Sequence, residues 1–117
     1  MPRPASSPRL RGKLWVEFGK TNALTEAGAD LLEQIEATGS LSQAAKNLRF
    51  AYRRAWLLID TMNKTWPRPL VKTATGGKRG GGTQVTEYGH KVLRAYRDLQ
   101  VQLEHLLDVA TEEWKDD

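Results

Sequence analysis

Apolar and polar positions first alternate over Lys13–Phe18, with Leu14, Val16 and Phe18 on one side and Lys13, Trp15 and Glu17 on the other. A period of two predicts a short strand, and Gly19–Leu24 then reads as a turn. From Thr25 the period becomes helical. Thr25 is placed to cap, Glu26 lies in the first turn, and Leu31, Leu32 and Ile35 form an apolar stripe with Ala27 and Ala37. Gly39 supplies a left-handed C-cap. Ser40 or Ser42 caps a short second helix, Gln43–Leu48, with Ala44, Ala45 and Leu48 inward. After a break at Arg49-Phe50, a third helix covers about Ala51–Thr65, with Ala55, Leu58, Ile59 and Met62 at core spacing. Pro67 and Pro69 end it.

Two β-type runs follow, Leu70–Thr75 and Thr83–Thr86, around the tip Gly76-Gly77-Lys78-Arg79-Gly80-Gly81-Gly82. Strands flanking a glycine-rich, positively charged tip predict a hairpin. Thr86-Glu87 opens a last helix that reaches about Trp114. The expected fold is mainly α with a small β-hairpin: strand, three helices, hairpin, long helix. Its divisions are a flexible basic arm over 1–12, a winged helix-turn-helix over 13–86, and a dimerisation helix with acidic tail over 87–117.

At 117 residues and 39% hydrophobic content, the chain has room for one domain with a modest core. The absence of Cys excludes a disulfide scaffold, a thiolate zinc site and a cysteine nucleophile. No apolar run approaches the roughly 20 residues of a membrane helix, and the first residues lack a signal-type stretch, so a soluble cytoplasmic protein is expected. Charge is unevenly placed. Residues 1–20 carry five basic side chains and one acid, and residues 21–48 one and four. Residues 49–97 carry eleven and two, and residues 98–117 one and seven. The +9 block is either a solvated basic face or a footprint for a polyanion.

The short helix, tight break and longer helix over 42–65 give this choice a direction. Ala44-Ala45 permit close helix approach and Phe50 plugs the angle, a helix-turn-helix pattern that small helical bundles also produce. The first turn of the third helix carries Tyr52, Arg53 and Arg54. Arginine there suits guanine O6/N7 or phosphate, although two solvated charges and a half-buried tyrosine fit the same residues. The glycine tip is not a phosphate-binding P-loop, because strands rather than a helix flank it. It describes a wing on a DNA backbone or minor groove, or a plain turn. In the last helix Val92, Tyr96, Leu99, Leu103, Leu106 and Ala110 recur at 4, 3, 4, 3, 4. That heptad seam predicts a second copy as partner, with Leu93 and Leu107 thickening it toward the body. His90 and His105 lack acidic neighbours at ligand spacing, and the acids after residue 111 read as a solvated tail. No metal, cofactor or catalytic site is expected, and the chain is not read as an enzyme.

Taken together, these stretches resemble the DNA-binding domain of the ModE family of molybdate-responsive transcription regulators. The resemblance rests on Leu24-Thr25-Glu26-Ala27-Gly28, Gly39-Ser40-Leu41-Ser42-Gln43-Ala44-Ala45-Lys46, Tyr52-Arg53-Arg54-Ala55-Trp56 and Met62-Asn63. Leu70-Val71, Ala74-Thr75-Gly76-Gly77-Lys78, Gly80-Gly81-Gly82 and Thr86 extend it, so that it covers about residues 13–100. That domain is itself similar to the winged helix-turn-helix of LysR-type regulators. The resemblance implies a dimeric regulator related to molybdenum transport that reads a palindromic operator. Three departures stand out. Ala51 replaces the usual Ser at the recognition-helix N-cap, a loss of ~1 kcal/mol. Arg79 interrupts the glycine run. The sequence stops at Asp117, before the place where such regulators carry a molybdate-binding half, so molybdate is not expected to bind this chain.

The resulting expectation is a homodimeric, sequence-specific regulator of double-stranded DNA, without a membrane partner. Tyr52, Arg53 and Arg54 face bases and phosphates, and Ser40, Ser42, Gln43 and Lys46 face the neighbouring backbone. Lys72, Thr75, Gly76, Gly77, Lys78 and Arg79 make the wing contacts. The alternatives are an interaction module that heterodimerises with a full-length regulator through residues 92–110, and an architectural protein indifferent to sequence.

Overall fold

The computed structural model describes residues 7–74 and 82–115. Its elements run β1 (Val16–Phe18), β2 (Thr21–Leu24), α1 (Glu26–Thr38), α2 (Leu41–Leu48), α3 (Tyr52–Thr65), β3 (Val71–Ala74), β4 (Gly82–Val85) and α4 (Glu87–Thr111), with a final 3-10 turn at Glu112–Trp114. The fold is mainly α, a winged helix-turn-helix followed by a long helix.

One element differs from the sequence reading. Thr21–Leu24 is not turn but strand, paired antiparallel with β1 through Phe18↔Thr21 and Val16↔Leu24. The turn shrinks to Gly19-Lys20, with Gly19 at φ 59°, the positive φ that a two-residue hairpin asks of its first position. The polar pair Thr21-Asn22 hid the strand, but Ala23 and Leu24 behind it are buried.

The caps follow from local chemistry. Thr25 Oγ1 accepts from the Gly28 amide at 3.2 Å, and the Gly39 amide closes α1 by donating to Ile35 O at 2.8 Å. Leu31, Leu32 and Ile35 are buried as expected, but the small residue joining them is Ala29, while Ala37 is exposed. Ser40 rather than Ser42 caps α2, accepting from Gln43 N at 3.1 Å, so this helix begins at Leu41. It ends at Arg49, whose φ of 59° makes it the one described non-glycine residue in the left-handed region. Such a conformation costs roughly 1–2 kcal/mol. It is held by Arg49 N donating to Lys46 O at 3.1 Å and Phe50 N to Ala45 O at 2.9 Å. α3 starts after Ala51 without a side-chain cap.

β3 and β4 pair antiparallel from Val71↔Val85 to Ala74↔Gly82. Three contacts fix the root of this wing. Asn63 on α3 bridges to Leu70 and Val71, Thr83 N donates to Gly39 O at 3.0 Å, and Thr86 Oγ1 donates to Pro69 O at 2.8 Å. α4 then passes so close to the wing that a Cβ on Gly89 would collide with Leu70 O and lie 2.8 Å from Val85 Cγ1. Leu24, Leu31, Leu32, Ile35, Met62 and Leu70 centre the core.

The molecule is long, 65 × 29 × 24 Å with a radius of gyration of 18.2 Å, against about 13 Å for a compact chain of this length. The 25 residues of α4 carry it away from the body. The expected flexible arm is corrected in part, because residues 10–14 run antiparallel along α4. Leu10 N donates to Thr111 Oγ1 at 3.0 Å, and Tyr96 OH donates to Leu14 O at 2.7 Å. Between them Gly12, lacking a side chain, lies against Leu103 and Leu107. Apolar patches on α4 supply the adhesion that composition alone did not reveal.

Candidate nucleic-acid interface

The α2–α3 pair forms one face of the body. Residues 37–59 contain four basic residues, Lys46, Arg49, Arg53 and Arg54, and no acid. Ser42, Gln43, Lys46, Tyr52, Arg53 and Arg54 are exposed, as is Lys72 on β3, while Ser40 is half-buried in its capping role. Among the described residues, none of these cations joins a salt bridge; the acids instead pair with Lys64, His90, Arg97 and Lys115. The uncapped first turn of α3 leaves backbone N–H groups pointing outward at the positive end of the helix. Such an end attracts anions.

Two of these side chains are oriented by neighbours. The Arg54 guanidinium stacks 4.2 Å above the Phe50 ring, which ties it to the turn and leaves Arg53 as the unconstrained arginine. Gln43 Nε2 donates to Asn47 Oδ1 and Asn47 Nδ2 donates to Gln34 Oε1, both at 2.8 Å, a chain of amides linking α2 to α1. Thr75, Gly76, Gly77, Lys78 and Arg79 lie outside the described residues.

Sequence reasoning missed two residues on this face. Trp56 and Leu57 are exposed on α3, three and four positions after Arg53 and therefore on its side of the helix. The signal was available: the helix already had an inner stripe in Ala55 and Met62, so an adjacent tryptophan had to point elsewhere.

The α4 seam needs one correction. Tyr96 is only 2% exposed and engages Leu14, so it belongs to the core. Burial pushes its hydroxyl pKa up, and the nearby Glu26 carboxylate adds to the shift. Val92, Leu103 and Ala110 are half-buried, Leu103 beside Gly12. Leu99 and Leu106 remain open, 51% and 61% exposed, with Val109 beside them. Arg97 anchors the helix to α1 through Asp30 at 2.7 Å and through Glu33. Burial opposes its charge, but the two carboxylates outweigh it and raise its pKa above the ordinary arginine value.

Comparison with known proteins gives this face a context. No family model matches the chain. The molybdenum transport protein ModE of Azotobacter vinelandii is 38% identical over 107 residues, 92% of this chain and 40% of that protein. The transcriptional regulator ModE of Haemophilus influenzae is 43% identical over 83 residues, 71% of this chain and 32% of that protein. This chain is homologous to ModE transcriptional regulators. The DNA-binding transcriptional dual regulator ModE of Escherichia coli K12 is likewise 43% identical over 74 residues, covering 63% of this chain and 28% of the regulator. The chain thus spans two fifths or less of the length of these ModE proteins. Transcriptional regulators are a non-enzymatic class. Among solved structures, Lactococcus lactis ZitR aligns with 92% of this chain and 83% of its own at 17% identity and a TM-score of 0.47.

Proposed function

We propose that this chain is a DNA-binding transcription regulator that acts as a homodimer on a palindromic site. The observation that carries the reading is the α2–α3 face, where Arg53 and its basic neighbours stand exposed and unpaired among the described residues, at the end of the helix that a helix-turn-helix inserts into the major groove. The names of the ModE relatives, regulators of transcription, agree with it. In this reading Arg53 reads base edges, Tyr52 and Arg54 contact bases or phosphates, and Ser42, Gln43 and Lys46 hold the adjacent backbone. The wing adds Lys72 and the residues from Thr75 to Arg79.

Dimerisation is supported by the open stripe Leu99, Leu106 and Val109 on a helix that leaves the body. A second copy covers that stripe and sets two reading heads near the ~34 Å that successive major-groove turns require. Molybdate stays outside the scheme, because the acidic end of α4 repels an oxyanion. Selection of bound duplexes from a random pool tests the reading. A palindromic sequence protected by two copies is expected; equal affinity for all duplexes would replace a regulator with an architectural protein.

A further inference from the structure

Three tryptophans in the body of this protein have contrasting surroundings. Trp66 donates its Nε1–H to Ala23 O at 2.9 Å and meets Phe18 and Tyr88 edge-on, with ring centroids 5.0 and 6.4 Å away. Trp15 donates to Glu17 Oε2 at 2.6 Å. Trp56 is 49% exposed, and among the described residues its indole has neither an acceptor nor an aromatic partner. With Leu57, 44% exposed beside it, Trp56 forms an apolar strip on the outer side of a helix whose inner face is already filled by Ala55 and Met62.

Its position names the occupant. Arg53, Trp56, Leu57 and Asp60 follow at i, i+3, i+4 and i+7 on α3, the spacing at which a recognition helix places side chains along a major groove. Asp60 is neutralised by Lys64 at 2.9 Å, and Lys46, Arg49, Arg53 and Arg54 lie on the same α2–α3 unit. A polyanion therefore approaches an apolar strip flanked by cations. The apolar group on base edges in the major groove is the C5 methyl of thymine.

We infer that Trp56, with Leu57 beside it, is a specificity-determining residue that reads a thymine methyl one helical turn beyond Arg53. The inference rests on the DNA-binding reading above. It gives each half-site a second specificity element of different chemistry: arginine hydrogen bonds at one position, and apolar contact at another.

The test uses duplexes selected from a random pool by the unmodified chain. Each thymine is replaced singly by deoxyuridine, which removes only the methyl group. The unmodified chain is expected to lose about fourfold in affinity at one thymine per half-site, the worth of one buried methyl. Trp56→Ala should bind more weakly overall and ignore that replacement, while keeping its preference at the Arg53 position. Trp56→Phe should retain part of the methyl sensitivity. The uridine scan of the unmodified chain needs no variant to fold. Indifference of the unmodified chain to every thymine methyl overturns the inference while leaving DNA binding intact. So does a Trp56→Ala variant that remains fully methyl-sensitive, or one that weakens equally on selected and random duplexes. A chain that selects no sequence at all overturns the regulator reading, and this inference with it.

Discussion

Asn63 holds Val71 by both backbone groups: its Nδ2 donates to Val71 O at 2.9 Å, and its Oδ1 accepts from Val71 N at 3.1 Å. The same Oδ1 accepts from Leu70 N at 2.9 Å. One side chain on α3 thus registers the first residues of the wing against the helix proposed to read DNA, so groove and wing contacts move as one body. Asn63→Ala removes three hydrogen bonds and leaves part-buried backbone groups unpaired. A loss of about 2–4 kcal/mol in unfolding free energy is expected from urea denaturation. Full retention of stability would show that the strand is held by other contacts.

Tyr96 makes stability depend on alkaline pH. Burial and the Glu26 carboxylate raise its pKa, so the folded state prefers the protonated hydroxyl that donates to Leu14 O. The sign follows. Stabilisation from this group is complete below the unfolded value near 10 and is lost as pH rises through the higher folded value. Tyr96→Phe should cost about 1 kcal/mol at neutral pH and flatten the decline above pH 10 in thermal melts. An unchanged alkaline slope would assign that decline to other groups.

Lys78 and Arg79 lie in the sequence between the wing strands and should contribute charge rather than sequence preference. Removing both is expected to reduce the log–log salt slope of DNA binding by roughly 1 to 2, with the selected sequence retained. Titrations at several salt concentrations provide the slope. Identical curves for the two proteins would remove the tip from the interface.

Leu99 and Leu106 are the residues of α4 on which the dimer proposal depends. Changing both to Asp would bury carboxylates in the seam, at a cost of several kcal/mol, and should yield a monomer with strongly weakened binding to a palindrome. Analytical ultracentrifugation reads the outcome. A monomeric unmodified chain at micromolar concentration would contradict the seam.

Much of this was legible in the amino-acid order. Thr25, Gly39 and Thr86 mark helix ends by chemistry that acts within four residues, and the Arg49-Phe50 break was visible although Arg49 lacks the usual glycine at its left-handed position. Long-range contacts were not. Tyr96 fits a heptad seam and a core position equally well, and only the return of residues 10–14 along α4 decides between them. Nor does the sequence show why Gly89 is a glycine: the Leu70 carbonyl above it leaves no room for a side chain. Trp56 escaped for a different reason: charge drew attention to its neighbours, and an apolar residue on a groove-facing helix carries no charge signal.

The most direct test of the central claim is the ratio of affinities for a selected duplex and its scrambled counterpart, measured at one fixed salt concentration for the unmodified chain and for Arg53→Ala. The unmodified chain should prefer the selected duplex by at least about 10³-fold. Arg53→Ala should lose ~1–3 kcal/mol of that discrimination, about 5- to 150-fold, with little change on the scrambled duplex. A ratio near one for the unmodified chain, or an undiminished ratio for Arg53→Ala, would contradict the assignment of α3 as the reading helix.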